Sequence, residues 1–283
     1  MERSQQAAKL TVVVLVTPTT FAVAETKKEY RFNVGVKSTV SIINQYGAVT
    51  VRPSTGNYVL VNATTYSDKV EVDQSQSGNR VDVQSHLLPG ATADNSRVDY
   101  EVLVPADASV TLQSTTGPLR AERLHGDVEA EGANATVDVR DISSSHVHVK
   151  TMNGPITLSN IHDGHVEVDS VSGDVTLSAV TGPLVRVSST SGKIRYDGDF
   201  GYAGEYRFNS HSGDIDATIP QDASVDVKAQ SVHGQVQNDV PLEPKAHTSF
   251  LVKEGSSFAG TINKAASSVW LRTFSGKIHL KKR

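Results

Sequence analysis

Aspartates are the residues of this sequence best suited to acid–base chemistry. Asp174 and Asp214 each follow a Ser-Gly pair, and Asp197 and Asp199 flank a glycine. Paired carboxylates of this kind cleave glycosidic bonds or bind calcium. Lys193, however, follows the Ser-Gly pair between those of Asp174 and Asp214, and neighbouring strands favour opposite charges side by side. We therefore predict a structural ladder of these three residues, a turn at the second aspartate pair, and no catalytic residue.

Histidines raise the possibility of metal binding. His146 and His148 alternate on one strand-like segment, and His162 and His165 follow closely. Two strand histidines two residues apart can share a metal ion, but no carboxylate recurs in phase with them. We predict no metal site and no cofactor. His211 is expected to be a half-buried packing residue, because its position is held in other repeats by Met152, Val171, Thr190, Val232 and Phe274.

Composition excludes several other kinds of chemistry. The 283-residue chain contains no cysteine, which excludes disulfides, thiolate metal sites and a cysteine nucleophile. Its formal net charge of −4 argues against nucleic acid as a partner. The sequence also lacks a phosphate-binding loop, an EF-hand loop and a zinc-protease motif.

The N-terminus has the three-part layout of a secretory signal peptide. Arg3 and Lys9 precede an apolar run over residues 10–16, and Ala22 and Ala24 provide small residues for cleavage. A buried first strand is the alternative, since valine-rich runs are also typical of strands. The run is shorter than the ~20 residues that span a bilayer. We predict cleavage after Ala24, leaving a mature chain without a membrane span.

Most of these candidates lie within an internal repeat. Gly-x-Ile/Val recurs with steps of 19, 19, 21 and 21 residues, at Gly154, Gly173, Gly192, Gly213 and Gly234, and Ser or Asn precedes the glycine in all of these except the last. The phase continues backwards to Ala135 and Gly117 and ends at Gly276, with Gly260 as the best candidate in the blurred stretch between Gly234 and Gly276.

Each repeat predicts one coil of a β-solenoid. Apolar-x-apolar pairs before and after the glycine have the period of 2 that is typical of strands, and glycine can take the positive φ that a turn requires. Such a unit cannot bury its apolar face alone, but stacked coils can. The predicted fold class is all-β, a parallel β-helix or β-solenoid with coils of about 19–21 residues.

Period 2 also predicts which side chains face the core. The two inward ladders are Val147, Val166, Val185, Tyr206, Val225, Val269 and Ile156, Val175, Ile194, Ile215, Val236, Ile278. The outward ladder is His148, Glu167, Arg186, Arg207, Asp226. The residues expected to be buried include Val168, Val175, Val187, Ile194, Phe208 and Ile215, and those expected to be exposed are Glu167, Thr176, Arg186 and Arg195.

The repeats do not cover the whole chain evenly. Residues 1–24 are the signal peptide, residues 25–105 are strand-like but less regular, and residues 106–283 carry the repeats. Solenoids need their open ends shielded, so the section over 25–105 is predicted to be an atypical β cap.

Two proline phrases add a family resemblance. Val104-Pro105-Ala-Asp107-Ala-Ser-Val110 and Ile219-Pro220-Gln-Asp222-Ala-Ser-Val225 lie 115 residues apart among the phased glycines. Over roughly residues 38–280 this pattern resembles the bacterial putative-adhesin family of β-strand repeat proteins, a domain of unknown function. The resemblance implies a right-handed β-helix-like fold and export to the envelope or beyond. It brings no catalytic or binding residues with it.

Two functions compete on this sequence. The first is an exported, non-catalytic adhesin or envelope scaffold, periplasmic or at the cell surface, that binds an envelope glycan or a surface protein. The second is a weak or degenerate carbohydrate-active β-helix, which would need long inserted loops to wall a cleft. Coils between residues 135 and 234 differ in length by only two residues. The sequence therefore favours the first function, and we predict that the chain is not an enzyme.

Overall fold

The computed structural model describes residues 25–244 and 255–283, and within these ranges all helix or strand structure is β. The proposed signal peptide lies outside them. The N-terminal strands are β1 (Thr26–Asn33), β2 (Thr39–Tyr46), β3 (Val49–Pro53), β4 (Tyr58–Thr65), β5 (Val70–Ser77), β6 (Arg80–Leu87) and β7 (Val98–Val104). The described part of the chain has no helix of the length and hydropathy needed to cross a membrane.

The regular repeats and the C-terminal region supply the remaining strands. The repeat strands are β8 (Ser109–Thr116), β9 (Leu119–Glu122), β10 (Val128–Asn134), β11 (Val137–Ser143), β12 (His146–Thr151), β13 (Ile156–His162), β14 (His165–Ser170), β15 (Val175–Val180), β16 (Leu184–Ser189), β17 (Ile194–Asp197), β18 (Glu205–Ser210) and β19 (Ile215–Ile219). The C-terminal strands are β20 (Val225–Ser231), β21 (Val236–Asn238), β22 (Glu243–Pro244), β23 (Ser257–Ile262), β24 (Ser267–Thr273) and β25 (Ile278–Lys282).

These strands form two mainly parallel sheets that face each other across one core. Sheet A has the order β1-β4-β7-β3-β9-β11-β13-β15-β17-β19-β25-β21, and sheet B has the order β22-β23-β20-β24-β18-β16-β14-β12-β10-β8-β2-β6-β5. Each coil gives one strand to sheet B and then one to sheet A, and the two strands at one level of the stack form a rung. The all-β, mainly parallel architecture predicted from the repeat is confirmed.

The strand register confirms the inward and outward faces of the regular coils. Val147, Val166, Val185 and Tyr206 are successive partners in sheet B. All six residues predicted to be buried are buried. Arg186 and Arg195 are exposed as predicted, whereas Glu167 and Thr176 are half-buried. Side chains on the rungs above and below partly cover these two residues, which a single-strand alternation does not take into account.

The motif glycines are required for a different reason from the one predicted. None of the motif glycines from Gly154 to Gly276 has a positive φ; among the glycines of the repeat motif that property belongs to Gly47 and Gly117. Instead, a Cβ at Gly173 would lie 1.9 Å from the carbonyl oxygen of Gly154, and a Cβ at Gly192 would lie 2.0 Å from that of Gly173. Successive turns therefore stack so closely that no side chain fits between their backbones.

A buried hydroxyl three residues before the glycine completes each of these turns. The hydroxyls of Thr151, Ser170 and Ser189 donate to the carbonyl oxygens of the glycines that follow them, at 2.9, 2.7 and 3.0 Å. A buried polar group costs free energy unless it is paired, and here the hydroxyl and the turn carbonyl pair with each other. The working turn motif is thus Ser/Thr-x-Asn/Ser-Gly rather than Ser/Asn-Gly alone.

The coils at the two ends of the chain do not stack in sequence order. β2 and β3 fill the rung between β6–β7 and β8–β9, and β24 and β25 fill the rung between β18–β19 and β20–β21. The chain skips each of these rungs at a proline phrase, between β7 and β8 and between β19 and β20. In both phrases the alanine three residues after the proline donates its N–H to the proline carbonyl, at 3.0 Å for Ala108 and 3.2 Å for Ala223.

This order corrects the predicted C-terminal ladders. Val269, not Val225, is the partner of Tyr206, and Val227 is the next residue in the ladder. Gly260 lies in β23, antiparallel to β20, and not at a repeat turn. The step from Gly213 to Gly234 equals that of the preceding coil, so spacing alone could not reveal that another coil lies between them.

Antiparallel strands close both ends of the stack. β1, β4 and β7 pair antiparallel at one end of sheet A, and β5 and β6 do so in sheet B. At the other end, β20, β23 and β22 pair antiparallel in sheet B. The section over 25–105 joins the repeats directly, because β3 pairs with both β7 and β9.

Candidate functional site

The predicted ladder of Asp174, Lys193 and Asp214 occupies consecutive rungs, but its charges pair differently from the prediction. The backbone N–H of Lys193 donates to Asp174 Oδ1 at 3.0 Å. The Lys193 ammonium lies 2.8 Å from Asp216 Oδ2, and Asp174 pairs with Arg195 at 3.1 Å. The predicted Lys193 ion pairs are therefore wrong, because a lysine side chain is long enough to reach the next outward position on the neighbouring strand.

Asp216 is the carboxylate that the sequence interpretation missed. Its Oδ2 lies 2.8 Å from the ammonium groups of both Lys193 and Lys281, and its side chain is only 15% exposed. Burial raises the pKa of Asp216, but hydrogen bonds and charge from the two lysines outweigh it and hold the pKa below its ordinary value. The available signal was its outward position in β19 beside the rung that begins after Lys193; Lys281 is brought next to it only by the rung skip, which the spacing does not reveal.

This arrangement gives a pH-dependent prediction. A depressed folded-state pKa stabilises the protein above the ordinary aspartate pKa, about 4, and this stabilisation is lost as pH falls through the folded-state value. Asp216→Asn should therefore lower the free energy of unfolding near neutral pH, by about 1 kcal/mol or less, and the difference from wild type should vanish in acid. Urea unfolding from neutral to acidic pH measures it. Lys193→Met is the milder control because Lys281 still pairs with Asp216, and a constant offset at all pH values would contradict the prediction.

The second aspartate pair is held by the C-terminal arginine. Arg283 contacts Asp197 Oδ1 and Asp199 Oδ1, each at 2.7 Å. The guanidinium of Arg283 thus offsets the charge of both carboxylates in one shared contact. The pair therefore fastens the loop after β17 to the last strand.

The histidines do not converge on a shared ligand position. His146 meets the ring of His165 edge-on, with ring centroids 4.8 Å apart, and its Nδ1 lies 3.3 Å from Asp127. His148 instead lies 3.7 Å from Asp169. Within residues 25–244 and 255–283, no group of three or more His, Asp or Glu side chains is placed to hold a metal ion.

An exposed apolar ridge runs along the turns that lead from sheet B to sheet A. One residue from each of six consecutive rungs forms this turn ridge, in the order Met152, Val171, Thr190, His211, Phe274, Val232. Met152, Val171, Phe274 and Val232 are 40 to 56% exposed. His211 is exposed rather than half-buried, because it projects from the turn, and its ring stacks on Phe274 with centroids 5.1 Å apart.

Open grooves lie between the turn ridge and the outer face of sheet B. One has a volume of about 450 Å³, and its lining includes Met152, Val171, Lys150 and Asp169. A groove of about 260 Å³ continues it at Met152, and one of about 280 Å³ lies beside Phe274 and Val232. Together they run across the strands, along the stack of coils. Such a shape fits an extended partner better than a compact small molecule.

A row of cations with one tryptophan lies on the outer face of sheet B beside this ridge. We call it the basic strip, and it consists of Arg186, Arg207, Trp270, Arg272 and Lys228. Trp270 is 47% exposed and has Arg207 and Lys228 as its cross-strand partners. The Lys228 ammonium lies 4.4 Å from the centre of the Trp270 ring, a cation–π geometry.

Comparison with known proteins identifies the family. The family model described as Toastrack DUF4097 matches residues 38–281. The chain belongs to the Toastrack DUF4097 family. This membership confirms the resemblance inferred from the proline phrases and the phased glycines. Among curated proteins, none matches the chain.

Two solved structures are similar to this Toastrack chain. A putative cell adhesion protein from Clostridium sporogenes is 12% identical, with a TM-score of 0.31, covering 92% of this chain and 100% of that one. A putative adhesin from Bacteroides fragilis is 13% identical, with a TM-score of 0.43, covering 91% of this chain and 98% of that one.

The rung skip of this Toastrack chain explains why the basic strip escaped prediction. Sequence order placed Asp226 beside Arg207 in the outward ladder, whereas the structure places Trp270 there and Lys228 beyond it. The skipped rung thus replaces an expected acid neighbour by an aromatic one. If the last repeat in the sequence is taken to be the last rung of the stack, Trp270 is not a cross-strand neighbour of Arg207.

Proposed function

We propose that this chain is an exported, non-catalytic β-solenoid that binds an extended partner at the cell envelope or surface, as an adhesin or scaffold does. The observation that carries the proposal is the turn ridge, whose four apolar side chains, spread over six rungs, stay exposed beside open grooves. Exposed apolar rows rimmed by polar residues are typical of interaction surfaces. A right-handed coil is part of the proposal, because crossovers between parallel strands are right-handed in nearly all known sheets.

The non-catalytic part of the proposal is supported by the structural contacts of the candidate carboxylates. Asp174 and Asp214 accept backbone N–H groups from the next rung, and Asp197 and Asp199 share Arg283. A weak carbohydrate-active enzyme is the alternative. Turnover of acidic or neutral polysaccharides by the wild type that disappears in a folded Asp174→Asn variant would establish that alternative.

The exported part is supported by the sequence alone. Arg3, Lys9, the apolar run over 10–16 and the small residues Ala22 and Ala24 follow the order of a secretory signal. The proposed mature chain begins at Glu25. N-terminal sequencing of protein recovered from outside the cytoplasm checks this, and a product that still begins at Met1 would contradict it.

The binding role is tested by screening the chain against arrays of envelope glycans and surface proteins. A bound partner should lose at least tenfold in affinity in a Met152→Ser/Val171→Ser/Phe274→Ser variant, since this variant removes three apolar contacts from the turn ridge. Tyr202→Ser is the matched control, because Tyr202 is an aromatic residue 92% exposed outside the ridge. A partner bound equally well by wild type and ridge variant would remove the ridge from the proposal.

A further inference from the structure

The outer face of sheet B is divided by charge along the stack of coils. The outward positions of β10 and β14 carry Glu129, Glu131, Glu167 and Asp169, with Lys150 on β12 between them. The outward positions of β16, β18, β24 and β20 carry the basic strip together with two acids, Glu205 and Asp226. Four cations against two acids make this part of the face positive, although the whole chain has a net charge of −4. A positive local potential attracts polyanions and repels cations.

Two of the four cations have no acidic partner among the residues that the structure describes. Arg207 pairs with Glu205 and Arg186 lies 4.0 Å from Glu167. Lys228 and Arg272 form no ion pair with any other described residue. Arg272 lies two residues from Trp270 on the same face and lines the groove beside Phe274. The basic strip therefore opens into the groove along the turn ridge, with cations available for a ligand.

Trp270 restricts which polyanion fits. A rigid aromatic side chain on a flat sheet, held between cross-strand cations, offers its ring to the C–H face of a sugar while the cations meet acidic groups on the same polymer. Rungs ~4.8 Å apart place these cations at intervals close to the length of one sugar ring. A lipid surface would instead need several apolar side chains projecting beyond the charges, and the strip has only Trp270.

We propose that the basic strip binds an acidic linear polysaccharide, with Trp270 stacking on a sugar ring and Arg207, Arg272 and Lys228 contacting its carboxylates or other anionic groups. This inference rests on the proposed function and names the class of its ligand. Neutral glycans, anionic membranes and acidic proteins are the alternatives that the test must separate.

Trp270 is the single tryptophan of the chain, so its fluorescence reports directly on the strip. The full chain is titrated with polygalacturonate and, as a matched polymer without charge, with fully methyl-esterified polygalacturonate. The acidic polymer should change the Trp270 emission saturably and bind at least tenfold more tightly than the ester. Its affinity should fall as salt is raised, because salt screens exposed charges.

Variants separate the strip from the rest of the surface. Lys228→Met and Arg272→Gln should each weaken polygalacturonate binding severalfold and reduce its salt dependence. Trp270→Ala, followed by calorimetry, should weaken it at least tenfold. Glu129→Gln, on the acidic half of the same face, is the control and should not weaken binding.

Several outcomes would overturn the inference while leaving the proposed function standing. They are equal affinity for the acidic and esterified polymers, no binding of either, or preferential binding of phosphatidylglycerol vesicles or of an acidic protein. The inference would also be overturned if a partner found on the arrays bound more weakly to the ridge variant but equally well to the Lys228 and Trp270 variants. Loss of polygalacturonate binding in the strip variants, with binding unchanged in the ridge variant, would support the basic strip as the site of this ligand.

Discussion

Replacing Gly173 by alanine is expected to destabilise the protein by about 3 kcal/mol or more, a large effect for a single added methyl group. The added Cβ would lie 1.9 Å from the Gly154 carbonyl oxygen, and backbone atoms cannot rotate away as a side chain can. The rung itself is fixed, because β14 and β15 pair with strands on both sides. Relief therefore requires two turns to separate, which breaks contacts on both rungs.

A crossed set of substitutions distinguishes close approach from backbone conformation as the reason for glycine. Gly78, in the β5–β6 hairpin, has a φ of 59° and open space around its Cα. Asparagine tolerates this conformation, so Gly78→Asn should be nearly neutral and Gly78→Ala should cost about 1 kcal/mol. At Gly173 asparagine should be at least as damaging as alanine, because the conflict is one of volume.

Urea unfolding of these four variants measures the difference. Ser172→Ala is the control at the neighbouring exposed turn residue, and it should cost no more than the hydrogen bonds of its hydroxyl to Met152 and Asn153. A Gly173→Asn protein that is more stable than Gly173→Ala would show that conformation, and not stacking distance, selects glycine at the motif.

Much of the fold could be predicted from the sequence because the strands and turns of a solenoid are determined by short repeated sequence patterns. Alternation at Val166 and Val168 fixes which face is buried, and the phase of Gly154 and Gly173 fixes which residues become neighbours on successive rungs. Both signals act within one coil or between adjacent coils. For this reason the register of the middle of the chain agrees with the structure.

The parts that could not be predicted depend on how distant segments are arranged in space, which no short sequence pattern determines. The proline phrases at Pro105 and Pro220 were recognised, but their spacing does not tell whether the next strand lies one rung away or two. The pairing of Lys193 with Asp216 depends on how far a side chain reaches across rungs. The basic strip was hidden for the first of these reasons, since it exists only once Trp270 is placed between Arg207 and Lys228.

The position of the last coil leads to the second large expected effect. In a solenoid stacked in sequence order, Ile278 would belong to the terminal rung, and a charge there would only fray the end. Here Ile278 is fully buried and lies between Ile215 and Val236. A buried unpaired carboxylate costs several kcal/mol, so Ile278→Asp should destabilise the protein about as much as Val175→Asp in the middle of the stack.

The location of the damage separates the two stacking orders more sharply than its size. Loss of the β24–β25 rung removes the hydrogen-bond partners of β18 and β19 on one side and of β20 and β21 on the other. Hydrogen exchange in Ile278→Asp should therefore accelerate over 205–219 and 225–238 together, while residues 147–177 keep their protection. Lys282→Asp, an exposed position on the same strand, is the control and should leave both segments protected. If exchange in Ile278→Asp is faster only over 267–283, the last coil lies at the end of the stack, and the rung skip at Pro220 together with the neighbours it gives to Trp270 must be abandoned.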